Sequence, residues 1–269
     1  MSIALNDRNT FSSLRAPLSL ARAAWSTLTN KVRRDGVAEF SRALIQLFLA
    51  EQPFGAIARH REVVAFFQQP AMAPLKSMPF ANKYLSGYLA KNVGKRARRD
   101  ALLHHYRCIA SRAAPEFLER TITDSYLLWS KANGNEPLAI RLTFNSLSHY
   151  EGDLSVVFFS GEERIFEISF AIVPGSAIGS SKPELLFIGR VQGVKDRFAE
   201  IKRATKACGD VAPQHMLMVT INAIARALEI TALAGVTDEE QLANLPDKDF
   251  RFDYNAFWEI GRASCRERV

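Results

Sequence analysis

Residues 185–193 read LLFIGRVQG, and the segment behind them, 194–209, reads VKDRFAEIKRATKACG. Apolar residues fall on both faces of 185–191, which predicts a strand inside a sheet, covered above and below. Over 194–208 the period changes. Val194, Phe198, Ile201, Ala204 and Cys208 recur at helical spacing, so a basic amphipathic helix is expected there. Gly209 suits its C-terminal cap. A second helix is expected over 213–228, with Pro213 near its first position, and a buried strand over 231–236 (TALAGV). The order from residue 185 onward is thus strand, helix, helix, strand.

Upstream, period-2 patterns add three more strands. Leu138, Ile140 and Leu142 alternate with Ala139, Arg141 and Thr143. Residues 154–159 and 164–173 form an antiparallel hairpin turned by Ser160-Gly161-Glu162-Glu163. The stretch 174–183, with two Gly and three Ser, is expected to be a loop. Before residue 131 the patterns are helical: 19–28, 36–50, 56–67, 81–89, 96–110, 114–118 and 125–129. The turn signal at 131–135 (KANGN) marks the expected boundary. The fold class that follows is α+β: a helical, basic region over 1–135, then a mixed, mainly antiparallel sheet with helices over 136–259. The strand and helix order of that second region resembles the acetyltransferase-like (GNAT) fold. There, a central strand leads into a loop and helix that hold a pyrophosphate.

The last ten residues, 260–269 (IGRASCRERV), back-translate without a gap to ATC GGA AGA GCG TCG TGT AGG GAA AGA GTG, a sequencing-adapter read. They are expected to be an artefact and not part of the fold.

The chain of 269 residues is 48% hydrophobic and 10% aromatic, enough for a packed core. Its formal charge is +7, but unevenly spread. Residues 1–135 carry 20 Lys/Arg against 9 Asp/Glu, a net of +11, and residues 136–269 carry 15 against 19, a net of −4. A basic half favours phosphate-bearing partners such as anionic lipid, nucleic acid or a phosphorylated small molecule. The densest basic run is 91–99 (KNVGKRARR). No helix-turn-helix, RNA-recognition or zinc-finger pattern accompanies it, which argues against nucleic acid. Anionic lipid head groups, or a plain solvated helix start, remain open readings. No apolar run approaches the ~18 residues of a membrane span, and no signal-peptide core is seen. Cys108 and Cys208 stand alone, without the spacing of a disulfide framework. The expected location is cytoplasmic, with peripheral contact at the inner membrane.

Two stretches have the residue types for chemistry. Arg190, Gln192, Gly193 and Lys195 follow the strand and open the basic helix. Backbone amides at a helix N-terminus bind phosphate, so these four are the candidate cofactor-binding residues. Arg190 and Gly193 fit the acetyltransferase signature, but Lys195 stands where a small residue belongs. The second stretch is His149-Tyr150-Glu151-Gly152-Asp153, between two strands. A carboxylate beside an imidazole can act as a general base, so Glu151 and His149 are candidates, or the stretch is a polar turn. Tyr254 could serve as a general acid, while Phe257 and Trp258 suit a hydrophobic clasp onto the sheet. The paired His104-His105 point about 100° apart on a helix and cannot both grip one ion, so no metal site is expected.

The order of these parts resembles the bacterial VirK/YbjX family. Residues 185–193, the basic segment, the helix from Pro213, TALAGV at 231–236 and the aromatic box 253–259 (DYNAFWE) carry the likeness, together with His105-Tyr106 and the acidic residue beside Gly152. It spans roughly 59–259. The resemblance implies a Gram-negative protein serving envelope integrity, resistance to cationic antimicrobial peptides or virulence, in a family without a settled activity. The expectation is acyl transfer to an envelope substrate, with acyl-CoA or acyl-carrier protein as donor. The alternative is a non-catalytic factor that docks on anionic membrane or a partner protein.

Overall fold

The computed structural model describes residues 53–75, 79–134, 136–144, 150–242 and 253–261. The helices expected over 19–28 and 36–50 lie outside them, and so does His149. The chain divides into two compact units, 1–65 and 66–269. The second holds the sheet and every candidate residue discussed below.

Helix α1 (Pro53–Phe67) has its proline at the first helical position, where no hydrogen bond is lost. Two short 3-10 turns follow, Pro70–Leu75 and Pro79–Leu85. The α-helix expected over 81–89 is therefore absent. Leu89, fully buried, takes a left-handed φ of 68° and donates its amide to the Tyr150 carbonyl at 2.8 Å. Helix α2 (Lys95–Arg112) matches the expectation, and α3 (Phe117–Thr123) is shifted from it by a few residues. Residues 125–129 are not helical. Ser125 has a φ of 68°, which ends the helix, and β1 (Tyr126–Lys131) begins at once.

Beyond β1 come β2 (Leu138–Phe144), β3 (Leu154–Ser160), β4 (Glu163–Pro174), β5 (Glu184–Gly193), α4 (Phe198–Ala207), α5 (Pro213–Ala227), β6 (Leu233–Gly235) and α6 (Tyr254–Gly261). The strands form one sheet in sequence order. β1 to β5 are antiparallel neighbours, and β6 runs parallel to β5. The fold is thus α+β with a mixed, mainly antiparallel sheet. The 131–134 turn joins β1 to β2 inside that sheet.

Ile165 to Val173 on β4 are all buried. A strand buried at every residue must be covered on both faces, and α2 and α5 are the helices that pack most on it. Among the described strands β1 is one edge of the sheet, with Leu127 and Leu128 exposed and a bulge between Leu127 and Trp129. The apolar run that suggested helix was an edge strand with few neighbours to cover it.

The basic helix starts late. Asp196 has a φ of 62°, so the chain turns between Gly193 and α4 instead of running straight from strand into helix. Phe198, expected on the buried side, is 79% exposed. Gly209, with a φ of 71°, terminates α4 as expected.

Candidate functional site at the C-terminal half of β5

β5 has a bulge where the pairing steps from Ser169↔Arg190 to Phe170↔Ile188, leaving Gly189 extra. The reason lies above it. A Cβ on Gly189 would stand 2.0 Å from the Glu151 carbonyl oxygen. Only glycine lets the 150–153 turn cross the strand this closely. The turn is pinned from both sides, by Leu89 and by the Asp153 amide donating to the Phe170 carbonyl at 3.0 Å.

This crossing brings Glu151 over β5. Its carboxylate lies 3.7 Å from Arg190 Nη1 and accepts from Gln241 Nε2 at 3.1 Å. Arg190 also reaches Glu167 on β4, at 3.1 Å, and Glu167 is held in turn by Arg164 at 2.7 Å. Two carboxylates and two guanidiniums thus alternate along one chain of contacts. Glu151 and Glu167 are nearly inaccessible to solvent. Buried charges persist where each has a partner.

Pairing with β6 ends at Ile188, and among the described residues no strand lies on that side of the rest of β5. The hydroxyl of Tyr254, first residue of α6, fills part of the gap by accepting from the Val191 amide at 3.2 Å. Burial, with Glu151 nearby, pushes the Tyr254 hydroxyl up to about 12, against the opposing pull of the Val191 amide, Arg190 and Gln241. Gln241 thus touches both Glu151 and Tyr254. The helix carrying Tyr254 is fixed at its N-terminus by Asp253, whose carboxylate accepts from the Ala256 amide at 2.7 Å, and by Asp238. Lys248, weighed as a partner for Asp253, lies outside the described residues. Trp258 donates to the Val236 carbonyl at 2.8 Å and presses on Gly235, where a Cβ would sit 2.0 Å from the indole.

The structure therefore brings Glu151, Arg190 and Tyr254 around Gln241 and β5, while Gln192, Gly193 and Lys195 follow Arg190 along the chain without joining that cluster of contacts. Gln192 is half-buried beside Glu167 in the sheet register. Gly193 ends the strand, and a Cβ there would come within 3.2 Å of Ile201 and 3.5 Å of Phe166. It thus has a packing reason to be glycine. Lys195 is exposed in the turn before α4. The basic run at 91–99 is partly engaged: Arg98 donates to the Ser86 carbonyl at 2.6 Å, and Arg99 pairs with Asp100 at 2.6 Å.

Sequence reasoning missed Gln241 and Glu167. Neither lies in a motif, and only the folded sheet joins them to Glu151. It also missed a buried ion pair behind the turn. Asp153 is wholly inaccessible and accepts from Lys83 at 2.8 Å, from Tyr106 at 3.1 Å and from Tyr88. Burial alone would raise the Asp153 carboxyl. Lys83 and His105, with the Lys83 and Tyr88 hydrogen bonds, outweigh it and hold the group below its usual range. His105 points away from His104 and accepts from the Ile172 amide at 3.1 Å.

Among the described residues no helix is long and apolar enough to cross a membrane. The sequence profile of a family described as "Protein of unknown function (DUF535)" matches residues 55–268. The "Uncharacterized protein YbjX" of Escherichia coli (strain K12) is 28% identical over 188 residues, 66% of this chain. The match takes in 56% of that protein, so the chain spans little more than half of its relative's length. No solved structure matches.

Proposed function

The chain belongs to the DUF535 family, in keeping with the VirK/YbjX resemblance, and from that premise we propose that it is an acyltransferase-like enzyme. One observation carries the reading: Glu151 and Tyr254, joined through Gln241, lie at the stretch of β5 beyond its described pairing with β6. The outer side of such a strand offers amides to an extended chain, such as the pantetheine arm of acyl-CoA or acyl-carrier protein, with the Val191 amide joining once the Tyr254 hydroxyl releases it. By the pleat, the Gly193 amide faces the same way as that of Val191. Arg190, Gln192 and Lys195 lie along the same section and supply polar and cationic groups for the donor. The bulged strand, parallel to its successor across a two-helix crossover, is the feature that supports an acetyltransferase-like scaffold.

In the proposed reaction an acceptor hydroxyl or amine attacks the thioester carbonyl. Glu151 takes the acceptor's proton once Gln241 releases the carboxylate. The thiolate leaves and takes its proton from Tyr254, which keeps that proton at neutral pH because its hydroxyl is pushed up to about 12. Return of one proton from Glu151 to Tyr254 resets the pair. The acceptor is an envelope component, as the VirK/YbjX resemblance implies, and the reaction serves envelope integrity or peptide resistance at the inner membrane surface.

Calorimetric titration of the full chain with acetyl-CoA and with a long-chain acyl-CoA tests the reading. Micromolar binding is expected in the wild type, with loss of at least tenfold in Gly193→Asp. Glu151→Gln should bind as well as wild type and transfer no acyl group. Absence of binding to either thioester, and to acyl-carrier protein, by a folded sample overturns it.

A further inference from the structure

At the opposite end of β5 three side chains of different chemistry converge. His104 and Cys108 are one helical turn apart on α2, and Glu184 opens the strand. The His104 Nε2 lies 3.1 Å from Glu184 Oε2 and 3.3 Å from the Cys108 sulfur, and that sulfur lies 3.4 Å from the same carboxylate oxygen. We propose that these three residues form a binding site for zinc or a similar borderline divalent cation, with one coordination position left for water or a substrate.

The distances carry the argument. Zinc bonds of ~2.0 Å to nitrogen and oxygen and ~2.3 Å to sulfur, at tetrahedral angles, set donor atoms roughly 3.3–3.5 Å apart. The observed triangle needs shifts of only tenths of an ångström to accept the ion. Its donor set is also right for the class. Thiolate and imidazole select borderline metals over magnesium or calcium, and a carboxylate completes many zinc sites.

A Cys-His-Glu catalytic triad is the competing reading, and the geometry opposes it. In a triad the acid holds one ring nitrogen while the nucleophile meets the other. Here both Cys108 and Glu184 meet Nε2. Three donors sharing a single point of approach suit an ion, not a proton relay.

The surroundings support a built site. Arg112 binds the second oxygen of Glu184 at 2.6 Å and is itself tied to the Leu228 carbonyl at 2.9 Å. That outer contact fixes which oxygen turns toward the cluster, as second-shell groups do at metal centres. The Cys108 sulfur is buried, while the His104 ring stays 29% exposed and leaves a route from solvent. On binding, the thiol proton goes to solvent. The charges of the cation, thiolate and carboxylate then cancel, leaving Arg112 as the outer positive group. Glu184 and Arg190 stand six residues apart on β5, about 20 Å, so this site is separate from the acid–base cluster.

The test is cobalt(II) substitution in the full chain after treatment with a chelator. One equivalent of cobalt should give a near-ultraviolet thiolate charge-transfer band and strong visible bands of a tetrahedral ion, and zinc should abolish both. Cys108→Ser should lose the charge-transfer band, His104→Gln should weaken binding at least tenfold, and Cys208→Ser should change neither. Circular dichroism establishes that each variant is folded. The proposal fails if wild-type protein gives no cobalt–thiolate band, or if the band survives in Cys108→Ser. Should Cys108→Ser not fold, His104→Gln decides: unaltered cobalt affinity there overturns the assignment.

Discussion

Asp153 carries its charge where no water reaches, and it does so because Lys83 and two tyrosine hydroxyls close around it. Removing one member of a buried pair strands the other. Asp153→Leu alone should cost about 3–5 kcal/mol, and the double change Lys83→Met with Asp153→Leu should cost less than that single one. Urea denaturation of the two singles and the double measures it, and a double loss equal to the sum of the two single losses would mean that the pair is not coupled. This pair shows where reading a sequence stops. Asp153 stood in plain view between Gly152 and a strand, yet its partner lies 70 residues away on a 3-10 turn that read as helix. Glu151 and Tyr254 stood out in the sequence as a carboxylate beside an imidazole and as a tyrosine in the aromatic box, and the fold sets both against Gln241. Gln241 carries no such mark.

Between residue and molecule stands the bulged strand. β5 was readable from its two-faced apolar run, and α5 from Pro213 followed by helical spacing. The bulge was not readable, since Gly189 in LLFIGRVQG gives no sign that another segment crosses it. Its φ is not even left-handed; what requires glycine is the Glu151 carbonyl above. Gly189→Ala should therefore push the 150–153 turn off the strand. A loss of about 1–3 kcal/mol is expected from the overpacking, together with weaker pairing of Glu151 to Arg190. Thermal unfolding of the variant reads the loss, and a wild-type melting temperature would contradict the close crossing. The start of α4 was misread for a related reason. Helical spacing from Val194 onward is genuine, but Asp196 in a left-handed conformation breaks the first turn, and periodicity is blind to one reversed φ.

For the whole molecule, α+β with a mainly antiparallel sheet was legible because the periods of 2 and 3.6 separate cleanly after residue 138. β1 was not, since YLLWS is apolar without alternation and fits either period. The way the fold responds to acid was hidden too, as it depends on burial. Burial, with Lys83 and His104 adding to it and Asp153 opposing, lowers the His105 imidazole to about 4, whereas a free histidine titrates near ~6.5. Between those values the unfolded chain binds a proton that the folded one refuses. Stability from this group is whole above pH ~6.5 and falls as pH drops toward 4, by about 3 kcal/mol in total. His105→Asn keeps an acceptor for the Ile172 amide and cannot titrate, so it should flatten stability against pH across that window. Urea midpoints between pH 7.5 and 4.5 report it, and an unchanged slope would assign the acid response elsewhere.

Trp258 has a use that its packing did not require. Its indole lies against Gly235 and is hydrogen-bonded to Val236, at the border where β6 leaves β5. Light emission from an indole depends on such contacts. The protein thus contains its own optical probe, placed where the described pairing of β6 with β5 ends, and anything that settles beside it can be followed without attaching a dye.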